Sequence, residues 1–138
     1  MDYHSIKVSE LIKRPPVTML PTATVEEAAR LMYSEGVGSV VVTSPEGRVL
    51  GIFTEKDLVK VVGGGMPLTT RVGDVMTKNP ITVRTEDALT KAILILAERR
   101  IRHLPVVDEE GRVKGVISAR DIALTLKKYL EELGEICD

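Results

Sequence analysis

The chain contains no tryptophan, one phenylalanine and three tyrosines. Single-stranded nucleic-acid platforms stack bases on aromatic faces, so this inventory argues against that function. Cysteine is nearly absent. Cys137 alone can form neither an intrachain disulfide nor a Cys-rich zinc site. That usage places the expected location in the cytoplasm. No apolar run approaches the roughly 18–20 residues that cross a bilayer, and residues 1–10 lack an apolar signal core. No membrane partner is expected. Histidine is limited to His4, in a tail, and His103. No metal-ligand cluster and no paired acid–base set is evident, so neither a metal nor a catalytic residue is assigned. Neither charge dominates. Lys plus Arg is 19 against 20 for Asp plus Glu, a net charge of −1. Bulk attraction to nucleic acid or anionic lipid is therefore not expected.

What the sequence does have is a repeat. The chain is 138 residues long, about one domain's worth, and 43% apolar, enough for a core. Shifted by 64 residues, it aligns on itself without a gap. Val8 falls on Val72, Pro16 on Pro80, Thr18 on Thr82, Ala28 on Ala92 and Val42 on Val106. Glu46-Gly47-Arg48-Val49 falls on Glu110-Gly111-Arg112-Val113, Gly51 on Gly115 and Asp57 on Asp121. The missing gaps matter most, because they preserve every element length.

Each repeat has the same predicted anatomy. A short helix opens it, over 8–12 and 72–76, and proline follows. A strand comes next, over 17–20 and 81–84. Thr24 with Glu27 forms a capping box for an amphipathic helix whose apolar face is Val25, Ala28, Ala29, Leu31 and Met32. The matching helix runs over 87–100, with Leu89, Ala92, Ile93, Leu96 and Ala97 inward. Two hairpins follow, strands 39–43 and 48–53, then 103–107 and 112–117, joined through Pro- and Gly-containing turns. A closing helix starts near Glu55 and near Ala119, the second reaching Leu133. Met32, Met66 and Met76 read as core or linker residues. The stretch from Lys127 to Leu133 reads as an amphipathic surface helix that can pack on a partner subunit.

The expected organisation is a first repeat over 8–62, a Gly-rich linker over 63–71 and a second repeat over 72–133. The expected fold class is α+β: two pseudo-symmetric helix–β–α–β–β–α units packed sheet to sheet as one module. A lone unit of about 60 residues is marginal and leaves an apolar sheet face bare, which pairing covers.

The sharpest repeated string is Gly–apolar–apolar–Thr/Ser–x–x–Asp, at Gly51 to Asp57 and Gly115 to Asp121. Thr54 with Asp57, and Ser118 with Asp121, have the spacing of helix caps. The same geometry suits a ligand. A helix N-terminus offers free N–H groups to a phosphate, and a carboxylate one turn on accepts ribose hydroxyls. Lys56 and Arg120 add positive charge. One residue can do both.

The gapless repeat and this doubled motif resemble a tandem pair of cystathionine-beta-synthase (CBS) domains, a Bateman module, over residues 8 to about 130. The resemblance implies a non-catalytic regulatory module that senses adenosine nucleotides (AMP, ADP or ATP) in clefts between the repeats. It implies a homodimer, and an effector protein as the target of the signal. S-adenosylmethionine or NAD, or an interaction module with empty clefts, are the alternatives. Carried over residue by residue, one cleft joins Thr54, Lys56 and Asp57 to Ile81, Thr82, Val83, Ile101, Arg102, His103 and Pro105. Asp57 would hold the ribose, and Thr54, Arg102 and His103 the phosphate. Ile101 and Pro105 would flank the base. The other cleft joins Ser118, Arg120 and Asp121 to Val17, Thr18, Met19, Val37, Gly38, Ser39 and Val40. Gly38 and Ser39 stand where the second repeat has Arg102 and His103, so the Asp57 cleft is expected to bind nucleotide more tightly. His103 is also open to an ordinary packing role. Arg99 reads as a helix-end charge complementing the dipole, and Arg100 lies between that role and the cleft.

Overall fold

The computed structural model describes residues 6–137, and side chains through residue 134. His4 lies outside the described residues, as does the side chain of Cys137. A 3₁₀ turn (Val8–Leu11) leads to β1 (Thr18–Met19), α1 (Val25–Glu35), β2 (Ser39–Thr43), β3 (Val49–Thr54) and α2 (Glu55–Gly63). The second half repeats this order with one added strand, β4 (Thr77–Lys78), which joins the sheet of the first half. It runs α3 (Val72–Val75), β4, β5 (Val83–Arg84), α4 (Leu89–Arg99), β6 (His103–Val107), β7 (Val113–Ser118) and α5 (Ala119–Cys137). Both predicted hairpins and both closing-helix starts are present. The closing helix α5 runs four residues further than the expected end. The openings of the repeats are shorter as strands than the sequence pattern implies.

Two sheets form, one of order β1-β2-β3-β4 and one of order β5-β6-β7. In each, a parallel strand joins an antiparallel hairpin. Alternate residues of a strand face opposite sides. Val40, Val42 and Phe53 point into a core beneath α1 and α2. Leu104, Val106 and Ile117 do the same beneath α4 and α5. The intervening positions, Val41 paired with Ile52 and Pro105 paired with Val116, belong to neither core. They lie on the faces the two sheets turn to each other, where β3 meets β6. The hairpin turns clasp reciprocally. Val113 N–H donates to the Gly47 carbonyl at 3.0 Å and Val49 N–H to the Gly111 carbonyl at 3.4 Å. Gly47 and Gly111 sit at φ 87° and 80°, which L side chains rarely adopt.

The opening helices are exchanged between the halves. Val8 and Leu11 are buried in the core of the second half, with Val83, Leu89 and Leu96. Val72 is buried in the core of the first half, with Val25 and Phe53. Backbone bonds fix the exchange. Val8 N–H donates to the Asp87 carbonyl, and Val72 N–H to the Ala23 carbonyl, at 2.8 and 2.7 Å. Neither segment can bury its apolar residues on its own repeat, because the next strand starts after only a few residues.

Local signals explain the helices. Thr24 and Glu27 form the predicted reciprocal cap of α1. Ala88 offers α4 no side-chain cap, and the Ile6 carbonyl takes the Leu89 N–H at 2.8 Å instead. The inner face of α4 differs from the expectation at one place. Ala97 is exposed and Ile95 packs on the core. Gly36 ends α1 at φ 66°, whereas Arg100 ends α4 at φ 55°, a conformation less favourable for a side chain. Arg100 is therefore a helix terminator rather than a cleft residue.

A candidate ligand cleft between the repeats

The two strand-to-helix junctions are built alike. At the second, Ser118 N–H donates to Asp121 Oδ2 at 2.7 Å and Asp121 N–H donates to Ser118 Oγ at 3.1 Å. At the first, Thr54 N–H donates to Asp57 Oδ2 at 2.9 Å, and Asp57 N–H to Thr54 Oγ1 at 3.4 Å. Both pairs are helix caps, as the spacing requires.

Their surroundings differ. Asp57 is only 6% exposed, and Thr77 Oγ1 donates to its Oδ1 at 3.4 Å. Thr77 is placed there by β4, which pairs with β3 through Thr77 with Ile52 and Lys78 with Gly51. Asn79 then turns the chain away at φ 47°. The residue 64 positions earlier is Pro15, whose ring fixes φ near −65°. The corresponding segment of the first repeat therefore cannot follow that path. Its Arg14 reaches outward to Glu35 instead, bonding the carbonyl at 3.0 Å and Oε2 at 2.8 Å. The Asp121 junction is left open, and its Oδ1 has no partner among the described residues.

A cavity of about 770 Å³ opens there, within the ordinary range for small-molecule sites. Of the residues expected at this cleft, Val17, Val37, Gly38, Ser39, Ser118, Arg120 and Asp121 line it. Thr18 does not, and Met19 packs against the first core instead. Val40 is in that core. Of the residues expected at the Asp57 cleft, only Arg102 and His103 line the cavity, and they do so on the Asp121 side. Thr54, Lys56 and Asp57 stay at the first junction. Val83 and Pro105 are buried, and Ile101 packs on the second core. Ile81 is partly exposed, and Thr82 lines a separate depression of about 260 Å³ beside Asn79. The expected division of cations between the clefts is thus reversed. His103 is paired with Ser118 across β6 and β7, which carries it to the Asp121 junction.

Sequence reasoning missed Lys13, Arg14, Pro15, Pro16, Tyr33 and Glu55, all of which line the cavity. The Pro15-Pro16 pair was the available signal, since the second repeat has Asn79-Pro80. Lys13, Arg102 and Arg120 form no ion pair among the described residues. Gly38 lets Glu55 of the first repeat and His103 of the second approach its backbone. A Cβ there would collide with Glu55 Oε1 and come within 2.9 Å of His103 Cε1. Burial pushes the His103 imidazole below its ordinary pKa. The Glu55 carboxylate opposes this, the Arg102 guanidinium adds to it, and Asp121 opposes it.

The CBS domain family matches this chain twice, over residues 8–64 and 72–128. The chain belongs to the CBS-domain family. An uncharacterized protein of Methanopyrus kandleri is 37% identical over 128 residues, 91% of this chain and 65% of that protein. This chain therefore spans about two thirds of that relative's length. Inosine-5'-monophosphate dehydrogenase of Korarchaeum cryptofilum is 35% identical over 84% of this chain but only 23% of its own length. A CBS domain protein of Pyrobaculum aerophilum, solved in complex with AMP, superposes with a TM-score of 0.81 at 34% identity, covering 84% of this chain and 89% of that one. No helix among the described residues is long and apolar enough to cross a membrane.

Proposed function

We propose that this CBS pair senses an adenosine nucleotide, AMP, ADP or ATP, bound in the Asp121 cleft. The observation that carries the reading is a cavity that joins Asp121, whose Oδ1 has no partner among the described residues, to three cations that form no ion pair among them, Lys13, Arg102 and Arg120. Asp121 accepts the ribose hydroxyls. The cations and the N-terminus of α5 take the phosphates, where charge-assisted hydrogen bonds contribute about 1.5–3 kcal/mol each. The Pyrobaculum relative supports the ligand class, because it was solved with AMP. The Asp57 junction is occupied by its own Thr77, so one nucleotide binds per chain.

The ligand signals through assembly or through an effector protein. Assembly is a homodimer that covers two matched apolar stripes. Val59, Val62 and Met66 are exposed on and after α2, and Leu126 and Leu130 are exposed at the matching face of α5. A nucleotide that contacts both repeats shifts their relative arrangement by its differential affinity for the two states.

The test is calorimetric titration of AMP, ADP and ATP into protein freed of co-purified ligand. Saturable binding at one site per chain, weakened at least tenfold in Asp121→Ala, is the expected result. Absence of binding to all three overturns the reading and leaves an interaction module, or another adenosyl ligand such as S-adenosylmethionine or NAD.

A further inference from the structure

Tyr33 is 91% exposed, yet it lines the cavity. It stands on the last turn of α1, where the second repeat has Ala97. Among the described residues no other Phe or Tyr side chain lines either cavity. Around it the lining is apolar: Ile12, Pro15, Pro16, Met32 and Val37. The charged lining comes from both repeats, Lys13, Arg14 and Glu55 from the first and Arg102, Arg120 and Asp121 from the residue before β6 and the start of α5. The apolar lining thus comes mostly from the first repeat, and the second repeat supplies the Arg102 and Arg120 cations. The two hydrogen bonds from Arg14 to Glu35 tie the Pro15-Pro16 segment to the end of α1. That clamp holds the apolar lining together as one wall.

We propose that Tyr33 is the base-recognition residue of this cleft and stacks on the exposed face of the bound purine. The proposal rests on the nucleotide reading and deepens it. A flat base lies against the Pro15-Pro16-Val37 wall, its phosphate tail directed to Arg102 and Arg120. One face of the base remains open on the solvent side, and Tyr33 borders that opening. An exposed tyrosine ring reorients on the picosecond-to-nanosecond timescale, so it can settle on a ligand without rebuilding the fold. Ring-on-base stacking tolerates any purine, so Tyr33 contributes affinity for the base and does not read its edge.

The chain has no tryptophan, so Tyr33→Trp introduces a single fluorescent reporter. Titrating AMP into Tyr33→Trp should quench the indole emission, saturating at the concentration calorimetry gives. Tyr33→Ala should weaken AMP about tenfold, and Tyr33→Phe should remain within about twofold of wild type. Ribose 5-phosphate, which lacks the base, should bind wild type and Tyr33→Ala equally. Because the side chain is exposed, these variants fold. Equal AMP affinity in wild type and Tyr33→Ala overturns the proposal and leaves the nucleotide reading standing. Equal losses for AMP and ribose 5-phosphate also overturn it, since the residue would then be shaping the cleft. No AMP binding by wild type overturns both.

Discussion

Thr77 Oγ1 lies 3.4 Å from the Asp57 carboxylate, whereas Lys13, at the matching position of the other repeat, makes no bond to Asp121. One pseudo-symmetric junction is closed by its own chain and the other is open. Asp57→Ala should therefore lower stability by about 1–2 kcal/mol, through loss of a helix cap. It should leave nucleotide affinity of the folded protein within twofold. Asp121→Ala should lose a similar cap and, in addition, weaken nucleotide affinity at least tenfold. Urea unfolding and calorimetry on the same two variants separate the effects. A large affinity loss in Asp57→Ala would place the ligand at the first junction.

The His103 imidazole has a folded pKa below its ordinary 6.5, chiefly because it is buried. Below 6.5 the unfolded chain binds more protons at this residue than the folded one. Its contribution is complete above 6.5 and is lost as pH falls through the folded value. Asp87 and Asp108 act in a lower window. Backbone N–H donors at Arg84 and Arg112 hold them below 3.8, so their contribution fades only in stronger acid. The urea midpoint should fall between pH 7 and pH 5, and His103→Gln should flatten that fall. A bound phosphate beside His103 favours the protonated ring. Nucleotide binding should thus take up protons where the ring titrates, seen as a buffer-dependent binding enthalpy that His103→Gln removes.

Leu11 belongs to the first repeat in sequence and to the second core in space. Leu11→Ala should cost about 2–5 kcal/mol, the range for a buried leucine. Hydrogen exchange should quicken first at Leu104 and Val106, which share its core, rather than at Val40 and Val42. Faster exchange at Val40 first would contradict the exchanged arrangement.

Leu126 and Leu130 are exposed on α5, and Val62 and Met66, 64 positions earlier, are exposed as well. Leu126→Glu should convert a dimer of about 30 kDa, twice the 15.1 kDa chain, to a monomer in sedimentation analysis. Nucleotide affinity should survive in the monomer, because the cleft is completed within one chain. A wild-type monomer would remove assembly as the signalling route.

Much of the fold was legible because the code for it is local and was written twice. Thr24 with Glu27, Thr54 with Asp57 and Ser118 with Asp121 each cap a helix within four residues of chain. Short apolar runs bounded by turn residues marked both hairpins, and Gly47 and Gly111 marked their turns. The matched spacing of 64 residues carried each reading from one half to the other. The candidate site was less legible. Resemblance to the family grouped Val37, Gly38, Ser39, Ser118, Arg120 and Asp121, and these line one cavity. Tyr33 and Glu55 carry no local pattern that distinguishes a cavity wall from an ordinary exposed helix position.

The sequence by itself determined the elements, their order, their caps and the existence of two related halves. Each of those depends on neighbours a few residues apart. Only the tertiary structure decided which core receives each opening helix, because Val8 and Val72 find their partners on the opposite repeat. It also decided which junction is open. That choice turns on backbone torsion, since Asn79 can take the left-handed turn that lays Thr77 against Asp57 and Pro15 cannot. A single ring closure in proline, felt only when the strands pack, breaks the symmetry that the repeated sequence otherwise imposes.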